Sequence, residues 1–372
     1  MTPELVRIDV RPGAAQESQS GLQMMNPRIW GLFTHPVGAR CAAIVIHPTS
    51  NFHAHYLVEP LTKRGIAMLA LNTRYVGNDA VLLLEQAIQD LGAGVKWLRA
   101  RGFDRVMLIG NSGGAALVSL YQAQAEKLDI THTAAGDPIS LDPSDLPPAN
   151  GIALCAAHLG RSRIIENWID PAVIDEADLL ASDPALDMFN PDNGPPFSAE
   201  FMLRYRSAQK ARIARITAWA QAKLRQIRAI PGGPRDMAFL INRTLADPRC
   251  LDASIDPNDR VPGTTIWGPP RAQNYAANSM GRYTSLTGFF SQWSPMSRGD
   301  GPTNLARTTV PVILFEHTAD SSIFPCDNDV WVAAAPGRLK SHRLAGGDHY
   351  LTGRPDLVAE MADSMTAFAG RL

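Results

Sequence analysis

The sequence predicts a mostly parallel α/β sheet covered by crossover helices, with a long, mainly helical insertion ahead of its last two strands. Three observations predict it. Short apolar runs rich in β-branched residues alternate with longer helical patterns over residues 1–160. Across 161–305 strand-like runs nearly vanish, and loops rich in Asp, Pro and Gly surround one long helical pattern. From 306 to 372 the alternation resumes, with too few strands to build a core of its own. The chain therefore reads as one α/β core, 1–160 plus 306–372, interrupted by a cap at 161–305.

In order, Leu5 to Arg11 and Arg28 to Thr34 predict an opening pair of strands, and Cys41 to His47 (CAAIVIH) a buried strand running into a loop. A helix follows around His55 to Arg64, stopped by Gly65, and then the strand Ile66 to Asn72. Asp79 to Arg101 places Leu83, Ala87, Leu91, Val95 and Leu98 on one helical face, with Gly102 as its stop. Arg105 to Ile109 is a short strand and Gly113 to Glu126 a helix, so residues 110–112 must turn sharply. Gly151 to Ala157 is the next buried strand. After the helical pattern Ser198 to Ile230 come the strand Val310 to Phe315, a helix around Asn328 to Ala335, the strand Ser341 to Ala345 and a closing helix from Pro355 to Leu372.

Composition narrows the function. The 35 Lys plus Arg against 36 Asp plus Glu leave a net charge of -1, so no global field favours a nucleic acid. The first 21 residues carry Glu4, Arg7, Asp9 and Arg11 and no apolar run of the kind a signal peptide needs, and no stretch approaches a membrane span. The expectation is a cytoplasmic protein with no membrane partner. Cys41, Cys155, Cys250 and Cys326 stand singly, without the spacing of a disulfide framework or structural metal site.

Gly110-Asn111-Ser112-Gly113-Gly114 fits G-x-S-x-G and falls between a predicted strand and a predicted helix. Small residues permit the sharp turn that lifts a serine hydroxyl clear of the sheet, and the Gly113 N–H faces any anion formed there. A serine hydroxyl needs a histidine base and a carboxylate to orient that base. Downstream, Asp320 follows the strand Val310 to Phe315, and His349 lies in the loop between the last strand and the last helix.

In these residues and their order, Ser, acid, His, the core segments resemble the α/β-hydrolase superfamily. The resemblance implies Ser112 as nucleophile, Asp320 as acid and His349 as general base. It also implies a second oxyanion donor from His47-Pro48-Thr49-Ser50, with Thr49 first by position and Ser50 adjacent. The superfamily commonly has His-Gly where this chain has His47-Pro48. No cofactor is implied.

Competing readings are weaker. His47, His53 and His55 cluster, but no carboxylate lies among them to complete a metal site, and His47 reads as a loop-orienting residue. His317 precedes the acid on the same strand end; Glu316, Asp327 and Asp348 rank below Asp320 as acids. G-N-S-G-G does not supply G-x-G-x-x-G, so a dinucleotide site fails. The basic positions of Ser198 to Ile230 read first as a solvated face, with gripping of an acidic substrate as the lesser alternative.

Within the insertion, Trp168, Trp219, Trp267 and Tyr275 are candidates to line an apolar pocket over Ser112. The expected activity is cofactor-independent cleavage of a carboxylic ester with a fairly bulky, partly hydrophobic substrate. Lactonase, thioesterase, carbon–carbon bond hydrolase and acyltransferase chemistry share the same triad, and a ligand-binding module on a hydrolase scaffold is the non-enzymatic alternative.

Overall fold

The computed structural model describes residues 2–11 and 28–372. In chain order the first half contains β1 (Glu4–Asp9), β2 (Arg28–Thr34), β3 (Cys41–His47), α1 (Val58–Lys63), β4 (Ala67–Asn72), α2 (Leu84–Arg99), β5 (Arg105–Asn111), α3 (Gly114–Glu126) and β6 (Gly151–Cys155). There follow α4 (Arg161–Trp168), the 30-residue α5 (Ala199–Arg228), β7 (Ala238–Leu240), α6 (Pro270–Tyr275), β8 (Tyr283–Ser285), α7 (Leu286–Gln292) and α8 (Gly301–Leu305). The chain closes with β9 (Val312–His317), α9 (Pro325–Ala334), β10 (Leu339–Leu344) and α10 (Pro355–Ala369).

Eight strands form one sheet in the order β1-β2-β4-β3-β5-β6-β9-β10. Only the β1–β2 and β2–β4 pairings are antiparallel. Side-chain alternation sorts each strand between two apolar layers. Ala42, Ile44 and Ile46 of β3 join Leu108 of β5 and Leu154 of β6 beneath α2, α3 and Trp331 of α9. Ala43 and Val45 join Ile109, Ala153 and Phe315 on the other face, under α1 and α10. All parallel strands thus point their carboxyl ends to one edge, where their loops converge.

Two boundaries moved for tertiary reasons. The predicted helix Asp79 to Arg101 begins five residues later, because its first turn is capped from outside: the Leu84 N–H donates to Ser291 Oγ at 2.8 Å. The strand predicted as Val310 to Phe315 is shifted two residues on, pairing Val312 with Ile152 of β6 and Leu339 of β10. Helix α5 begins as its sequence dictates, with Ser198 Oγ accepting from the Phe201 N–H at 3.1 Å.

Between β6 and β9 the chain builds apolar clusters of its own. Ile213, Ile216, Leu224 and Ile227 of α5 pack on Phe289, Phe290 and Trp293. The basic side chains of α5 do not form a uniformly solvated face. Arg212 is fully buried, donating to Glu176, to Asp170 O and to Asn242 O. Arg206 reaches Asp247 and Arg228 reaches Asp137. These internal partners account for three of the positions that an acidic substrate would have needed. Among the described residues no helix is long and apolar enough to cross a membrane.

Candidate active site

The site begins at the end of β5. Ser112 sits at φ +57°, with its N–H donating to Cys155 O at 2.8 Å, so the chain reverses from strand to helix within two residues. Such a conformation is strained for a residue with a side chain, and the neighbouring glycines make it possible. A Cβ on Gly110 would lie 2.7 Å from Gly114 O, and one on Gly114 would lie 2.1 Å from Ile46 O. The close approach of α3 to β5 therefore depends on glycine at 110, and its approach to β3 on glycine at 114.

Ser112, Asp320 and His349 converge. His349 Nδ1 lies 2.7 Å from Asp320 Oδ2, and its Nε2 lies 3.1 Å from Ser112 Oγ. With Nδ1–H donating to the carboxylate, Nε2 is left to accept from the serine hydroxyl. Asp320 Oδ1 accepts from the Ser322 and Ile323 N–H groups at 2.7 and 3.1 Å. Burial by itself would raise the pKa of Asp320, but His349 and these hydrogen bonds outweigh it and hold the carboxyl below its ordinary value. All three residues are buried.

The rejected alternatives have other partners. His317 Nδ1 donates to Asp348 O at 2.8 Å, which ties the loop carrying His349 to the end of β9. Asp348 Oδ1 accepts from the Tyr350 and Thr352 N–H groups, Glu316 pairs with Ser341, and Asp327 caps α9 at Phe324. His53 Nε2 donates to Trp30 O, and His55 Nδ1 accepts from the Leu57 N–H. Among the described residues no group of three or more His, Cys, Asp or Glu is placed to hold a metal ion.

The loop after β3 departs from expectation. The N–H groups of Thr49 and Ser50 both donate to His47 Nδ1, at 3.2 and 2.9 Å, so the expected donor Thr49 and the adjacent candidate Ser50 both face the imidazole. Pro48 has no N–H to donate, and its ring fixes the backbone between His47 and Thr49. Gly113, at the start of α3, lies beside Ser112 and lines the same cavity.

That cavity, about 280 Å³, is lined by Ser112, His47 and Tyr350 together with Ile164, Leu245, Trp267 and Met280. It also presents Asp79, Arg161, Gln273, Asn278 and Ser279, so it is more polar than an apolar pocket for a bulky substrate would be. Of the four aromatic candidates, only Trp267 lines it. Trp168 stands behind Trp267 in edge contact, Trp219 packs on Phe239, and Tyr275 lies against Arg243.

Sequence reasoning missed Arg161. It follows β6 at the carboxyl edge of the sheet, where α/β folds gather ligand contacts, and that position was the available signal. Its guanidinium donates to Thr49 Oγ1 at 2.9 Å and to Gln292 Oε1, and lies 3.6 Å from Asp79. His158 was missed as well. Buried 5.7 Å from the His349 ring, it is pulled to a pKa of about 3, chiefly by desolvation and then by His349.

No protein-family model matches the chain, and no curated protein matches it in sequence. Solved structures do. The α/β hydrolase GrgF from Penicillium sp. sh18 is 12% identical with a TM-score of 0.52, over 99% of this chain and 98% of that one. DcsB, solved with its substrate analogue, is 12% identical with a TM-score of 0.52, over 100% and 99%. The esterase domain of a Rhodothermus marinus protein aligns at 14% identity over 100% and 99%, with a TM-score of 0.49. At such identity the likeness is one of fold, carried by the first two.

Proposed function

We propose that this chain, which has the α/β-hydrolase fold, is a serine hydrolase that cleaves a carboxylic ester of a small molecule. The single observation that carries the reading is the hydrogen-bonded line from Ser112 Oγ through His349 to Asp320, at 3.1 and 2.7 Å. Ser112 Oγ attacks the ester carbonyl carbon as His349 Nε2 takes its proton, and the carbonyl oxygen becomes an oxyanion beside the Gly113 N–H. The tetrahedral intermediate collapses, the C–O bond to the alcohol breaks, and His349 gives that alcohol its proton. Water, deprotonated by the same imidazole, then releases the acid and restores Ser112. Asp320 holds the imidazole in the tautomer that each step requires.

The mixed cavity lining favours a substrate with apolar bulk toward Trp267 and Met280 and hydrogen-bonding groups toward Asn278, Ser279 and Arg161. Thioester or lactone cleavage and transfer of the acyl group to another alcohol use the same atoms. The 161–305 segment, which supplies much of the cavity wall, acts as the cap, and the protein works in the cytoplasm without cofactor.

The test is intact mass of wild type and Ser112→Ala after a fluorophosphonate, followed by a panel of p-nitrophenyl esters. One adduct on wild type alone, with ester turnover lost in the variant, is the expected result. An unlabelled, folded wild type with no turnover overturns the reading in favour of a ligand-binding module.

A further inference from the structure

We propose that His47 is a catalytic residue, its Nε2–H supplying the second hydrogen bond to the oxyanion alongside the Gly113 N–H. The inference rests on the serine-hydrolase reading and completes its machinery. It starts from the loop donors: Thr49 and Ser50 both donate to His47 Nδ1, at 3.2 and 2.9 Å. An imidazole nitrogen that accepts two N–H groups carries no proton, so the neutral ring carries it on Nε2. The loop's donor capacity is thereby transferred through the ring to its far nitrogen.

Nε2 is also the ring atom nearest the elbow. A Cβ built on Gly113 would lie 2.9 Å from it, against 3.5 and 3.7 Å from Cδ2 and Cε1. Any other residue at 113 would push the ring away, which gives the second glycine of G-N-S-G-G a role beyond turning the chain. Nε2 has no hydrogen-bond partner among the described residues, and His47 lines the cavity with Ser112 and Gly113. Desolvation, then Arg161, His158, His349 and His55, hold its pKa well below the ordinary value, so the ring stays neutral while it donates. Arg161, donating to Thr49 Oγ1 at 2.9 Å, anchors the loop from the other side.

The experiment compares wild type, His47→Asn and His47→Gln on a p-nitrophenyl ester that wild type turns over. Asn keeps an acceptor where Nδ1 stood and removes the far donor, whereas Gln places an amide N–H near Nε2 and removes the acceptor. The expected result is a fall in kcat of about 10²–10³ for Asn with KM little changed, and clearly higher kcat for Gln than for Asn. Asn within threefold of wild type, or Asn better than Gln, overturns the proposal, because a ring that merely shapes the loop predicts that order.

A second readout serves if the variants misfold. Wild type with ¹⁵N-labelled histidine is treated with a trifluoromethyl ketone, which forms an anionic hemiketal on Ser112. Proton NMR should then show the His47 Nε2–H shifted downfield and protected from exchange; an unmoved resonance overturns the proposal. Failure of the serine reading is separately visible, since wild type would then neither take a fluorophosphonate nor turn over esters, and the proposal falls with it.

Discussion

Replacing Asp320 with Asn changes one atom and reverses the direction of a proton. Asp320 Oδ1 accepts two backbone N–H groups, from Ser322 and Ile323, while Oδ2 faces His349 Nδ1 at 2.7 Å. An asparagine must keep its carbonyl toward the two backbone donors, since an NH₂ there would leave both unpaired at a fully buried position. Its NH₂ therefore faces His349 Nδ1, which must now accept. The imidazole proton moves to Nε2, 3.1 Å from Ser112 Oγ, and the serine loses the base that the proposed mechanism gives it. Loss of the correct tautomer in a triad is worth about 10⁴ in rate, or about 5.5 kcal/mol of barrier. The assay is the rate of fluorophosphonate adduct formation by intact mass, which requires no knowledge of the natural substrate. With near-UV circular dichroism matching wild type, labelling within tenfold of the wild-type rate would refute this account of Asp320.

Three further outcomes follow from the packing. Gly114→Ala places a Cβ 2.1 Å from Ile46 O, a backbone atom that can yield only with β3, so a loss of about 3 kcal/mol or more is expected in urea unfolding; a loss under 1 kcal/mol contradicts the close approach. On α5, Arg212→Met strips partners from Glu176 and three backbone carbonyls and should cost about 3–5 kcal/mol, whereas Arg215→Ala, on the exposed side, should stay within about 0.5 kcal/mol. Equal effects of the two changes would show that the buried arginine is misplaced. His158 and His55, buried with pKa values of about 3 and about 4, bind protons more readily unfolded than folded. Their contribution is complete above pH about 6.5 and is lost as pH falls toward those values. Urea midpoints should therefore decline from pH 7 to 4.5, and a flat profile there rules the mechanism out.

Local chemistry was enough to read much of this molecule from its sequence. The continuous apolar run of CAAIVIH, the glycine that closes α1 and the start of α5 at Ser198 are decided by residues within a few positions of one another. The elbow is only half so: Gly110 meets Gly114 and Ala115, close in sequence, whereas Gly114 meets the Ile46 carbonyl far along the chain. That Asp320 and His349 come together was legible too, since both lie just past strand ends and parallel strands bring those ends to one edge of the sheet. Tertiary structure decided what depends on partners far along the chain. Arg212 reads as one more surface arginine until Glu176 and the carbonyls of residues 170, 242 and 243 surround it. Trp219 and Tyr275 look like pocket aromatics until Phe239 and Arg243 take up their rings. Whether the Thr49 N–H faces a substrate or a histidine is a matter of one peptide's orientation, set by the ring of His47, the anchor from Arg161 and the space left by Gly113. Periodicity and turn chemistry are local free energies and are written in consecutive residues. A hydrogen bond between residues 49 and 161 exists only once the chain between them has packed.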